Sequence, residues 1–196
     1  DNWMGQNMKN KIIKNFLSKD ELNLVSPYIS LKHKLNDDIE LFSTNSASTC
    51  NLVGLGHTEA SGYGDTLCDS LVVCKKKLVE KETGLSLLPT YSYWRMYTYG
   101  SFLNKHKDRP SCEISVTLHL GGDKEWPIFV EGNSFLLKPG DAIIYQGCEQ
   151  EHWREKFYGD WYSQLFLHYV DAKGPNKEWY RDKRRELGTS KAEFPG

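Results

Sequence analysis

Several things are missing from this 196-residue chain, and each absence excludes a class of protein. No apolar run approaches the roughly 20 residues that span a bilayer, and no charged-then-apolar leader opens the sequence, so neither a membrane partner nor a secretory route is expected. Neither charge sign is in excess: 25 basic and 26 acidic residues leave a net charge of −1, and no field of that kind draws nucleic acid. The five cysteines (Cys50, Cys68, Cys74, Cys112, Cys148) are odd in number and contain no CxxC pair. That argues against a disulfide framework and against a cysteine zinc site, and for reduced thiols in a cytoplasmic, monomeric protein. No repeat or low-complexity linker divides the chain. With 39% hydrophobic and 13% aromatic residues it is read as a single domain over 1–196, large enough to bury a core.

What is present changes character near residue 87. Before it the pattern is helical. Ser18 and Glu21 form a capping box ahead of Leu22, Leu24, Val25 and Tyr28, predicting a helix over about 19–29. Leu67, Leu71, Val72, Leu78 and Val79 make an apolar stripe between Asp65 and Gly84, a glycine placed for a C-cap, with Lys75–Lys77 on the wet face. The stretch between these helices is mixed, with a loop expected at 43–49 and His33 and His57 read as surface or loop histidines. Helical support therefore covers about 10–84. From Leu87 the period is two. Strands are predicted from Leu87, over Cys112–Leu120, Trp126–Glu131, Ser134–Leu137, Ala142–Gln146 and Trp161–Val170. The breaks fall at Gly100-Ser101, Gly121-Gly122-Asp123, Gly132-Asn133 and Lys138-Pro139-Gly140-Asp141. Short strands at this spacing behind helices imply a mainly β sandwich or barrel over about 87–171 with helices packed outside. A charged helix or tail follows, with Lys183, Arg184 and Arg185 expected in solvent.

The chemistry concentrates at Thr90–Asp108. Tyr91, Tyr93, Tyr97 and Tyr99 fall on one face of a strand. His106 and Asp108, two apart, can face one metal ion together, supplying two of the three groups of a two-histidine, one-carboxylate iron site. Alone, His-x-Asp is a weak signal. The third group must come from another strand, and His152, 44 residues after Asp108, combines a polar approach, a strand start and the separation needed. His119, inside a strand, could face the core, and His168 is read as lining the pocket. Arg109 points away from Asp108 toward the rim, where it could meet substrate or tie down a loop.

The runs RMYTYGSFLNKHKDRPSCEISVTLHL, KPGDAIIYQGCEQEHWRE and SQLFLHYVD, in this order, resemble the Fe(II)/2-oxoglutarate-dependent dioxygenases, and within them the prolyl 4-hydroxylase-like branch. The resemblance covers about 95–171. It implies a double-stranded β-helix (jelly-roll, cupin-like) core and His106, Asp108 and His152 as Fe(II) ligands. It also implies Tyr97 as a hydrogen-bonding partner of 2-oxoglutarate, and 2-oxoglutarate and O2 as cosubstrates with ascorbate in support. The implied reaction hydroxylates a C–H bond of a prolyl or other residue in a peptide, with release of succinate and CO2. The alternatives are a free amino acid or small molecule as substrate, a jelly-roll protein that binds a ligand without catalysis, and a cupin with another metal. Asp108 fills the position left for halide in halogenases of this superfamily, so hydroxylation is the expected outcome. One feature departs from the pattern. Where the family places an arginine or lysine to pair the far carboxylate of 2-oxoglutarate, this chain has Trp161, Tyr162 and Ser163. A dianion in a dry pocket needs a cation. Arg154, two residues past His152 and on its side of the strand, is the expected partner, and Arg95, sharing the face of Tyr97, the second choice.

Overall fold

The computed structural model describes residues 10–35 and 60–189. The expected loop at 43–49, His57 and Cys50 lie outside the described residues.

The first element, β1 (Ile12–Ile13), leads into α1 (Lys19–Leu35). The capping box forms: the Glu21 amide donates to Ser18 Oγ at 3.2 Å, and the Ser18 amide to Glu21 Oε2 at 2.8 Å. The helix runs six residues past the expected end, carrying Pro27 inside it. Proline removes one backbone donor, yet Val25 and Ile29 on either side are 1% and 0% exposed, so packing outweighs propensity there. His33 is therefore helical and half-buried rather than on a surface loop. After β2 (Ala60–Tyr63) comes α2 (Thr66–Thr83). Asp65 caps it, accepting from the Leu67 and Cys68 amides, and Gly84 ends it at φ 73°. The lysine run is not simply solvated, since Lys75 Nζ reaches Glu21 at 2.6 Å and ties α2 to α1.

The strands that follow are β3 (Leu87–Thr98), β4 (Leu103–His106), β5 (Ile114–Gly122), β6 (Ile128–Val130), β7 (Asn133–Phe135), β8 (Ala142–Tyr145), β9 (His152–Arg154) and β10 (Trp161–Asp171). They form two antiparallel sheets, one ordered β1-β8-β5-β10-β3-β2 and the other β4-β9-β6-β7. This is the mainly β jelly roll with supporting helices. Gly121 and Gly122 belong to β5 rather than to the turn expected there. The β6–β7 hairpin turns one residue early, at Glu131-Gly132, both with positive φ (48° and 78°) as a two-residue primed turn requires.

Strand alternation divides the large sheet cleanly. Ile114, Val116, Leu118 and Leu120 of β5, Trp94 and Met96 of β3, and Leu165 and Leu167 of β10 pack against Val25, Ile29, Leu71, Val72 and Val79 of the helices. The opposite faces look toward the small sheet. Two apolar clusters join the sheets there, Tyr97, Leu103, Trp126, Phe157 and Tyr162 in one, Ile128, Val130, Leu137, Ile143 and Tyr145 in the other. Among the described residues no helix is long and apolar enough to cross a membrane, and Cys68, Cys74, Cys112 and Cys148 are free thiols.

The tail departs most from expectation. A 3-10 segment spans Lys177–Lys183, and Arg184 is buried, its Nη1 2.8 Å from Asp69 of α2 and its Nη2 donating to the Thr90 carbonyl at 2.8 Å. The charge of Arg184 predicts solvent only when no buried acid awaits it.

Candidate metal centre

The site is assembled by the small sheet. Pairing of β4 with β9 sets His106 directly opposite His152, and their rings lie 4.2 Å apart, centroid to centroid. Asp108, two residues past β4, is held by its amide donating to the Gly147 carbonyl at 2.8 Å. His106 Nε2 lies 3.3 Å from Asp108 Oδ1, and His152 Nε2 3.4 Å from Oδ2. One ligand atom from each residue falls within 4.8 Å of the others. Each imidazole donates its Nδ1 proton to a carbonyl two residues back, His106 to Asn104 at 2.7 Å and His152 to Gln150 at 3.0 Å. With Nδ1 so committed, Nε2 of each ring faces Asp108, and it is the atom a metal ion would take in place of a proton. Burial opposes ionisation of Asp108, but hydrogen bonds from the two histidines outweigh it and hold the carboxyl well below its usual range. Burial likewise pulls His106 down, while Asp108 and the Asn104 carbonyl carry it above its ordinary value. Two imidazole nitrogens and a carboxylate within 4.8 Å of one another are the donor set that suits Fe(II).

Behind these three residues lies a buried cation. Arg154, 1% exposed, sits between the rings of Trp126 and Tyr162, its guanidinium carbon 4.6 and 5.0 Å from their centroids. Nη1 donates to the Trp126 carbonyl at 2.5 Å and Nη2 to Gln164 Oε1. Nε has no hydrogen-bond partner among the described residues, and neither have the Tyr162 hydroxyl and Gln164 Nε2 beside it. Both acceptors that Arg154 does have are neutral. Arg95 comes in from β3 opposite Gln164, its guanidinium 5.0 Å from the centre of the Tyr97 ring. Tyr97 itself is 1% exposed and packs edge-on against Trp126. His119 stacks on Tyr162 at 4.1 Å. Burial, with the Arg154 charge, pushes His119 down to about 4.

Thus the structure brings His106, Asp108 and His152 together and points Arg154, Arg95 and Tyr97 into the same interior. His119 and His168 stay out of the donor set. His168 stands in the β10 wall beside the site, its Nδ1 3.0 Å from Ser115 Oγ, and burial takes its pKa down to about 4. Rings run along this wall from Tyr63 through Tyr91 to His168, then to Phe166 and Tyr93, at centroid spacings of 5.0, 4.6, 6.1 and 6.3 Å.

Several residues that shape the site carried no motif. Gly147 is one: a Cβ there would stand 2.4 Å from the Cys112 carbonyl and 2.7 Å from Asp108 Oδ2, so only glycine lets the two loops meet. Ser115, Thr117 and Gln164 are others. Their trace in the sequence is parity, polar residues at every second position of otherwise apolar strands.

Fold and donor set together define the class of protein this chain is similar to. It has the fold of the 2-oxoglutarate/Fe(II) oxygenases, prolyl hydroxylases included. In particular, it is similar to a Pseudomonas putida prolyl-4-hydroxylase (TM-score 0.65, 14% identity, 84% of this chain and 94% of that one). It is also similar to a Trichoplax adhaerens prolyl hydroxylase in complex with a hypoxia inducible factor oxygen degradation domain peptide fragment (0.62, 14%, 85% and 86%). A third is EctD from S. alaskensis with 2-oxoglutarate and 5-hydroxyectoine (0.61, 11%, 89% and 79%). At such identities the likeness is one of fold. No protein-family model matches the chain, and no curated protein matches it by sequence.

Proposed function

We propose that this protein is an Fe(II)- and 2-oxoglutarate-dependent dioxygenase that hydroxylates a C–H bond of a prolyl or other residue in a peptide. The observation that carries the reading is the convergence of His106 Nε2, His152 Nε2 and the Asp108 carboxylate, each within 4.8 Å of the others, inside a jelly roll. Bound iron supplies the activation of O2 that couples decarboxylation of 2-oxoglutarate to succinate and CO2 with insertion of one oxygen atom into the substrate C–H bond. The chain's residues do the rest. His106, Asp108 and His152 hold the metal from one side, with their second nitrogens already committed to carbonyls.

Arg154 pairs the far carboxylate of 2-oxoglutarate. It shares a strand face with His152 about 7 Å along the chain, the reach of a five-carbon diacid. Its Nε, Gln164 Nε2 and the Tyr162 hydroxyl are buried donors at this end of the site without a hydrogen-bond partner among the described residues. Tyr97 and Arg95 line the same end. Trp126, Phe157, Tyr162 and Leu103 close it against water. A dry enclosure raises the strength of each charged contact in it. Tyr91, Phe166 and His168 offer apolar faces to a substrate side chain at the metal.

The experiment is succinate release from 2-oxoglutarate with Fe(II) and ascorbate, across prolyl peptides, other peptides and free amino acids. Substrate-stimulated succinate is expected with a peptide. Stimulation by amino acids alone would move the substrate class, and no turnover with any Fe(II) loading would sink the proposal.

A further inference from the structure

The tail crosses the protein under conformational load. Arg181, Asp182 and Lys183 hold φ of 56°, 54° and 60°, three consecutive non-glycine residues in the left-handed region. L side chains are disfavoured there, so contacts must hold them. One anchor is the Arg184–Asp69 pair, where Asp69 Oδ2 also accepts from the Gly188 amide at 2.7 Å. That anchor fastens the tail to α2 and β3 without touching the site.

The second anchor faces the other way. Asp182, 0% exposed, accepts from the Tyr63 hydroxyl at 2.6 Å and from both terminal nitrogens of Arg109 at 2.5 and 2.7 Å. Arg109 directly follows Asp108. Its carbonyl accepts from the Cys112 amide at 2.9 Å and from Cys148 Sγ at 3.1 Å, and its guanidinium lies over the Tyr91 ring at 4.7 Å. Backbone and side chain of the residue next to the metal carboxylate are thus both fixed, the side chain by a residue 73 positions away.

We propose that Asp182 is a positioning residue, which through Arg109 holds the Asp108 carboxylate turned toward His106 and His152. The inference rests on the reading of those three residues as the metal site. Fastening of the tail is already served by Arg184. The bidentate Asp182–Arg109 contact adds a fixed side-chain reference for the loop that carries Asp108, which leaves β4 after His106 and is otherwise tied by the Asp108 amide to Gly147 and by the Arg109 carbonyl to Cys112 and Cys148.

The test is titration with Co(II), a redox-stable probe for the Fe(II) site, followed by calorimetry and by the visible absorption of the bound ion. Asp182→Asn keeps shape and tolerance of left-handed backbone but removes the charge. It should weaken Co(II) binding about tenfold, the lower end for residues that orient metal ligands, and change the absorption band. Arg109→Met should do the same. Its side chain is 39% exposed, so it opens no core and serves if Asp182→Asn does not fold. The double substitution should be no worse than either single one. Thr66→Val, which cuts the contact of Thr66 Oγ1 to the Gly188 carbonyl, should melt lower yet bind Co(II) like wild type. If Asp182→Asn and Arg109→Met melt lower but bind Co(II) with unchanged affinity and spectrum, the positioning role is overturned while the metal site stands. If wild type binds no Co(II), both fall.

Discussion

Replacing Arg154 by methionine separates what the residue does for a ligand from what it does for the fold. Its guanidinium is buried between two rings with two neutral acceptors and one idle Nε. In the free protein, removing it relieves a charge that lacks a carboxylate among the described residues, while leaving the Trp126 carbonyl and Gln164 Oε1 short of a donor. These effects oppose each other, each of about 1–3 kcal/mol, so the melting temperature of the free protein should move little. With 2-oxoglutarate nothing offsets the loss. Two charge-assisted hydrogen bonds at about 1.5 kcal/mol each make about 3 kcal/mol, on the order of a hundredfold in Kd. The assay is thermal unfolding with Mn(II) and 2-oxoglutarate at a hundred times the wild-type Kd. Wild type gains about 2.7 kcal/mol by linkage, a rise of about 5–10 °C for a chain this long. Arg154→Met, then near its own Kd, gains about 0.4 kcal/mol and rises about 1 °C. Arg154→Lys, a point charge without the fork, should fall between. If Arg154→Met keeps the full rise and Arg95→Met loses it, the carboxylate is paired by Arg95 and the role given to Arg154 is wrong.

Asp108→Ala should abolish Fe(II) binding and succinate release while leaving the circular dichroism spectrum unchanged, because the helix-facing core does not include it; residual turnover at wild-type iron affinity would contradict the ligand assignment. His119 and His168 are held near 4 against 6.5 in the unfolded chain. Below pH 6.5 the unfolded state therefore takes up protons that the folded state refuses, and the stability these groups confer is full above 6.5 and lost as pH falls toward 4. The loss is about 3 kcal/mol for each. Urea midpoints of the metal-free protein from pH 7 to 4 should fall accordingly and fall less in His119→Gln, and a flat profile would refute the neutral buried pair. Asp69→Ala strands the Arg184 guanidinium, whose side chain is 0% exposed, and should cost about 3–5 kcal/mol in urea unfolding; a cost under about 1 kcal/mol would mean that Arg184 finds another partner.

The sequence alone determined the elements whose signals are local. Ser18 and Glu21 cap α1 because the bonds they make are three residues apart. Gly84, Gly100 and Gly140 sit at positive φ where turns were marked. The period of two after Leu87 separates helix-facing from inward-facing residues along β3, β5 and β10, and puts His106 and Asp108 within reach of one ion. The tertiary structure alone decided everything that depends on partners distant in the chain. Pairing of β4 with β9 sets His152 opposite His106, and no local rule encodes that register. Arg184 looked like a solvated tail charge because the acid that buries it lies 115 residues earlier in α2. Asp182 and Gly147 had no motif at all, since what marks them is what stands next to them: the Arg109 guanidinium in one case, the Asp108 carboxylate that leaves no room for a Cβ in the other. Periodicity tells a side chain which face to take, and only the folded chain supplies what waits on that face.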